Sequence, residues 1–200
     1  MSQNKTNFAV PLAFVGMMFF AIGFALGINS FLIPVLKGAL SLPSGVAYLL
    51  LAATFVPFLI FGYPASATIA KIGYKRTMAL SFLIFAVAFI LFVLSAKLEN
   101  FILFLIASFV SGAANAYLQA SVNPYITILG PIESAAKRMS IMGICNKLAW
   151  PVAPLFFALV VADQTNVQTS DLYLPFYIII GVFLLLSLIH ISEPTRPEPI

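Results

Sequence analysis

Apolar runs separated by brief polar or turn-forming clusters divide this chain from end to end. Six runs, roughly 9–35, 44–69, 76–96, 101–126, 138–162 and 172–191, each reach the roughly 20 residues that carry a helix across a hydrocarbon core. The punctuation between them is local chemistry. Ser41-Leu42-Pro43-Ser44-Gly45 is expected to cap and start the second run, since proline is tolerated where first-turn amides lack helical partners. Gly73-Tyr74-Lys75-Arg76 makes a tight basic connection, Gly130-Pro131 closes the short stretch after the fourth run, and the polar stretch Asp163 to Asp171 separates the fifth from the sixth. The runs lack sustained two-residue alternation and are about twice the length of a barrel strand, which argues against a β-barrel. The pattern predicts an all-α integral membrane protein: a six-transmembrane-helix bundle over residues 8–191, with a short N-terminus (1–7) before it and a tail (192–200) after it. The tail, with three prolines between Pro194 and Pro199, cannot continue a helix and is expected to be disordered. It reads either as a linker or as sequence foreign to the protein, joined at a truncation.

Composition supports lipid as the surroundings. A hydrophobic fraction of 62% against 8% charged residues is too apolar for one soluble core to hide. The formal charge of +4 resides in short connections and calls for no nucleic acid. Lys5, Lys71, Lys75, Arg76, Lys137 and Arg138 fall on the side of the N-terminus, whereas Lys37 and Lys97 fall in the opposite loops. By the positive-inside rule the N-terminus is cytoplasmic. The first run is longer than the core of a signal peptide and lacks a small-residue cleavage site, so it reads as a retained span. Cys145 stands alone and excludes an internal disulfide framework.

Candidate chemistry lies in the amides. Asn115, Gln119 and Asn123 recur every four residues, each offset by only about 40° from the last around a helix. Amides at membrane depth are costly to leave without partners and seldom face lipid, so this stripe should face protein or a water-filled path. Ser111, Gly112, Ala113, Ala114 and Ala116 keep the same helix narrow, and the bland reading of Asn115 is a bond to a neighbouring helix. Gln119 suits a cavity wall, while Asn123, next to Pro124, serves either as a helix-end brace or as part of a site.

Asn29 is the strongly polar residue inside the first run, followed by Ser30; Gly23, Gly27 and Pro34 would let that helix bend nearby. The alternative places Asn29 near the outer end, in contact with water. Asn146 precedes Lys147, Trp150, Pro151 and Pro154 in the fifth run. Lys147 reads as a snorkelling side chain and His190 as an interfacial one. No Asp or Glu falls in the hydrocarbon core of any run, which removes the usual carboxylate for proton coupling. No dinucleotide fingerprint, phosphate loop or metal-ligand cluster is present, so the sequence predicts neither an enzyme nor a cofactor nor a metal site.

The stretch Gly112 to Pro131, GAANAYLQASVNPYITILGP, together with Leu32-Ile33-Pro34 and Lys71-Ile72-Gly73-Tyr74-Lys75-Arg76, resembles the fucose/glucose/galactose permease branch of the major facilitator superfamily. The resemblance covers about residues 8–190 and implies the N-terminal half of a twelve-helix transporter that moves sugars by alternating access, often with protons. It implies a sugar or other small polyhydroxylated solute as ligand, a second six-helix bundle as partner, lipid around both, and a bacterial inner membrane. On the same resemblance, Gln119 stands where fucose-type members carry an acidic residue and glucose/galactose-type members carry glutamine. Asn123-Pro124 and Asn146 match the family's own residues. Ser30 replaces a membrane-embedded aspartate, and Ala70 the acidic member of the basic loop motif, whose Lys71, Gly73, Lys75 and Arg76 remain. The expected solute-binding set is Asn29, Asn115, Gln119, Asn123, Asn146 and Trp150, the indole supplying an apolar face for a sugar ring. Other readings of the same residues are a transporter of a different polar solute, a membrane assembly module that carries nothing itself, and an inactive fragment of a transporter.

Overall fold

A computed structural model describes residues 9–161 and 167–192. Lys5, Asp163, the first seven residues and the tail from residue 193 lie outside the described residues, as does the side chain of His190. The described residues form α1 (Ala9–Ala39), a single-turn α2 (Ser44–Ala47), α3 (Leu49–Lys97), α4 (Phe101–Ile128), α5 (Ala135–Val160) and α6 (Tyr173–Ser192), with 3-10 turns at Ile132–Ser134 and Thr169–Leu172. Among the described residues, five helical stretches are long and apolar enough to cross a membrane, α2 and α3 counting together as one.

Six crossings come from those five because α3 folds back on itself. Its 49 residues would make a rod of about 74 Å, far longer than a hydrocarbon core of about 30 Å. Thr54 and Phe92 would stand about 57 Å apart on such a rod. Yet Thr54 lies against Gly112 of α4 and Phe92 against Phe104 of the same helix, only about 12 Å apart along it. The reversal is at Gly73, whose φ of 80° and ψ of 169° suit a residue without a Cβ. The two arms, 49–72 and 74–97, are the predicted second and third runs, and the glycine falls in the tight basic connection where the turn was expected. Tyr74 at the start of the second arm meets Tyr125 near the end of α4, so that arm and α4 run antiparallel.

The expected start of the second run holds in position but not in device. Pro43 is the N-cap of α2 and its carbonyl accepts from Val46 and Ala47, with no side-chain cap. Ser41 instead takes a left-handed φ of 52° in the turn. Asn100, by contrast, caps α4 with its side chain, which accepts from the amides of Ile102 and Leu103.

Two packing devices hold the bundle. Phe82, Phe85, Phe89 and Phe92 recur at three- and four-residue spacing on the second arm and meet Phe176 and Phe183 of α6; Phe85 and Phe183 stack at 4.7 Å. Phe157 of α5 joins this slab through Phe176 and links it to Phe31 of α1. Elsewhere helices touch backbone to backbone. A Cβ on Gly23 would lie 1.9 Å from the Asn146 carbonyl oxygen, and one on Gly27 would lie 2.4 Å from that of Trp150. Gly112 relates in the same way to the Thr54 carbonyl, at 2.1 Å. Small residues four apart permit such approach where lipid gives helices no hydrophobic reason to associate. Gly23 and Gly27 are therefore contact residues, and α1 is helical from Ala9 to Ala39 through Pro34.

The pairings also fix the ends. Gly16 faces Met142, and Phe31 faces Phe157, so α1 and α5 run parallel. Lys71, Lys75 and Arg76 at the reversal, Lys137 and Arg138 at the start of α5, and the start of α1 thus gather at one end of the bundle. Lys97 lies at the other, near the rings of Tyr173 and Tyr177. Leu59 on the first arm and Leu159 on α5 are each 88% exposed, as expected of sides that meet lipid or another apolar surface.

Candidate functional site

The stripe on α4 does not stay on one surface. Asn115 is completely buried, whereas Gln119 and Asn123, one and two turns on, are half-buried. The offset of about 40° per step accounts for this: the stripe starts in the helix interface and rotates out of it. Neither Gln119 nor Asn123 has a hydrogen-bond partner among the described residues, so both amides are available to something else.

Asn29 enters the same interface from α1. Its Nδ2 donates to the Ala25 carbonyl at 3.0 Å and to Ser111 Oγ at 3.4 Å, and the residue is completely buried. Contact with water at the outer end, the alternative for this residue, is therefore not what the fold provides. Ser108, Ser111 and Asn115 are spaced three and four residues apart along α4 and share that face. Both side-chain polar atoms of Asn115, Oδ1 of Asn29 and Oγ of Ser108 are buried without a partner among the described residues. The bond to a neighbouring helix offered as the bland reading of Asn115 is thus not made. Ser30, at the place of the expected aspartate, donates to the Leu26 carbonyl at 3.1 Å.

Asn146 and Trp150 belong to a different contact, where α5 meets α1. Asn146 Nδ2 donates across it to the Phe19 carbonyl at 3.1 Å, which fastens the helices beside Gly23. Trp150 is half-buried, and Lys147 is exposed with its Nζ 5.4 Å from the indole centre. Pro151 and Pro154 lie inside α5, which runs unbroken to Val160. The expected residues therefore divide into two groups flanking α1. Asn29 faces α4, the helix that carries Asn115, Gln119 and Asn123, whereas Asn146 and Trp150 lie where α5 meets α1. Lys71, Gly73, Lys75 and Arg76 are grouped at the α3 reversal, with Lys71 and Arg76 exposed.

Arg138 was legible only as a positive charge. It is 7% exposed, with Nε on the Ile126 carbonyl at 3.2 Å, Nη2 on that of Thr127 at 3.1 Å, and Nη1 on that of Pro131 at 2.8 Å and on Ser134 Oγ. The guanidinium gathers carbonyls that the end of α4 leaves unpaired and ties that end to α5. A basic residue a few positions after Gly-Pro is the only local hint of this role.

The chain is similar to known proteins over most of its length. The chain is 31% identical over 193 residues to the glucose/galactose transporter of Brucella abortus (biovar 1, strain 9-941), covering 94% of this chain and 47% of that one. It is 26% identical over 168 residues to the L-fucose-proton symporter of Escherichia coli K12, covering 84% of this chain and 38% of that one. The chain spans about half, or less, of the length of these relatives. Its fold matches a crystal structure of the Major Facilitator Superfamily transporter FucP in the outward conformation with a TM-score of 0.78, at 23% identity, over 95% of this chain and 51% of that one. The sequence profile of one family matches residues 14–200, almost the whole of this six-segment bundle, and on that match the chain belongs to the Major Facilitator Superfamily.

Proposed function

We propose that this bundle is one half of a sugar transporter, working with a second six-helix bundle by alternating access. The observation that carries the reading is the pair Gln119 and Asn123: two half-buried amides, without hydrogen-bond partners among the described residues, on a membrane-length helix. An amide offers two donors and an acceptor, which suits a ring of hydroxyl groups, and its neutrality avoids burying a charge. Trp150 adds an apolar face for the ring, and Asn146 sits one turn before it. Asn29 and Asn115 support the site from the interface behind Gln119. The names of the relatives, a glucose/galactose transporter and an L-fucose-proton symporter, favour a hexose-like solute. Their coverage to about half their length favours the two-bundle arrangement.

The basic residues gathered at one end favour a cytoplasmic side for that end, with the start of α1, by the positive-inside rule. The bacterial sources of the relatives favour an inner membrane. With a serine at position 30, this half supplies no α1 carboxylate for proton coupling. The test is hexose uptake into proteoliposomes by a protein in which this bundle is followed by a second six-helix half. Gln119→Leu abolishes uptake at unchanged membrane abundance if the reading is right; unchanged uptake refutes Gln119 as a solute contact.

A further inference from the structure

The α1/α4 interface carries a polar cluster that the fold itself does not satisfy. Of the buried serines and threonines, Thr54, Thr77, Ser81, Ser95, Ser121 and Ser187 each donate to a backbone carbonyl and Thr169 donates to Glu99. Ser108 and Ser111 do not. Ser111 accepts from Asn29, and Ser108 Oγ has no protein partner, although the same helical back-bond is open to it. Asn29 Oδ1 and both polar atoms of Asn115 are likewise without protein partners, and all four residues are 0% exposed. Such groups are costly to bury dry, and their concentration on one face of one interface calls for a common ligand.

We propose that this interface is a water-binding site, in which ordered water bridges Asn29 of α1 to Ser108 and Asn115 of α4. The donor set selects water. It combines acceptors (Asn29 Oδ1, Asn115 Oδ1) with a donor (Asn115 Nδ2) and a hydroxyl that serves as either, matching a molecule that gives and receives hydrogen bonds. A bare cation would use the oxygens only, would face the Asn115 N–H groups, and would find no carboxylate to balance its charge. The completely buried Leu32, Ala114 and Leu118, one turn or less away along the two helices, leave no open approach for a hexose. Bridging water also lets α1 and α4 shift against each other by exchanging bonds with solvent molecules.

Radiolytic hydroxyl-radical labelling of the whole chain in lipid nanodiscs tests it, because radicals form at bound water inside a protein as well as in bulk solvent. Leu32 and Leu118 are expected to label well above the dry Phe85 and toward the pace of the exposed Leu98. Asn115→Leu should abolish that labelling. Labelling of Leu32 and Leu118 as slow as that of Phe85 in the unmodified chain overturns the proposal, and needs no variant to be folded. Ser108→Ala, which deletes one hydroxyl, should lower the labelling if Asn115→Leu does not fold. Replacing sodium chloride by choline chloride at equal ionic strength is expected to leave the unfolding temperature unchanged; a sodium-specific rise lost in Ser108→Ala would assign the site to a cation and overturn the water reading.

Discussion

Substituting alanine at Gly23 and at Gly143 should move stability in opposite directions, although the chemical change is the same. Both glycines lie inside helices, where alanine gains about 0.5–1 kcal/mol from the lower entropy of the unfolded chain. At Gly143 nothing lies within 4 Å of the added methyl, so that gain should appear undiminished. At Gly23 the methyl meets the Asn146 carbonyl oxygen at 1.9 Å and its carbon at 2.8 Å, both backbone atoms that no rotamer change can move. Restoring ordinary contact at 3.4 Å or more requires α1 and α5 to part by about 1.5 Å. Overpacking on this scale costs about 1–3 kcal/mol. The Asn146 to Phe19 bond, at 3.1 Å, does not survive the separation, and an interhelical bond in a membrane is worth roughly 0.6 kcal/mol. The balance is a net loss of about 2 kcal/mol for Gly23→Ala. The chain's single tryptophan, Trp150, sits in this contact, and its fluorescence during sodium dodecyl sulfate titration reports the unfolding midpoint. The midpoint should fall for Gly23→Ala and rise slightly for Gly143→Ala. Coincident midpoints would refute the backbone contact as a determinant of stability.

Two further predictions concern the basic end. Gly73→Ala forces a Cβ into a backbone conformation at φ 80° and ψ 169° that is nearly confined to glycine; it should cost about 1–3 kcal/mol, whereas Gly62→Ala, with nothing within 4 Å, should not lower the unfolding midpoint. Arg138→Ala leaves the carbonyls of Ile126, Thr127 and Pro131 without their donor and should cost about 2–3 kcal/mol, with faster amide exchange confined to the α4–α5 connection. Arg138→Lys should recover little, because one ammonium cannot span the positions the guanidinium joins.

The sequence by itself determined the six membrane-length segments, the turns between them, and the gathering of basic residues at alternate connections. These depend on run length, hydropathy and residues such as Gly73 whose backbone preference is local. It also determined that Asn115, Gln119 and Asn123 drift around α4 by a fixed angle, since helical geometry alone sets that. Tertiary structure decided which part of the drift is covered. Asn115 is completely buried and Gln119 only half-buried, a difference that the packing of neighbouring helices makes and the helix by itself does not. It likewise decided that Gly23 and Gly27 admit another backbone, that Asn29 lies inside the bundle, and that Arg138 binds carbonyls rather than facing water. The glycines and Asn29 depend on residues tens of positions away in the chain, brought together by side-to-side packing of helices, and such packing leaves no periodic mark on the sequence of either helix alone; the carbonyls that Arg138 meets lie 7 to 12 positions before it, gathered by the turn between α4 and α5.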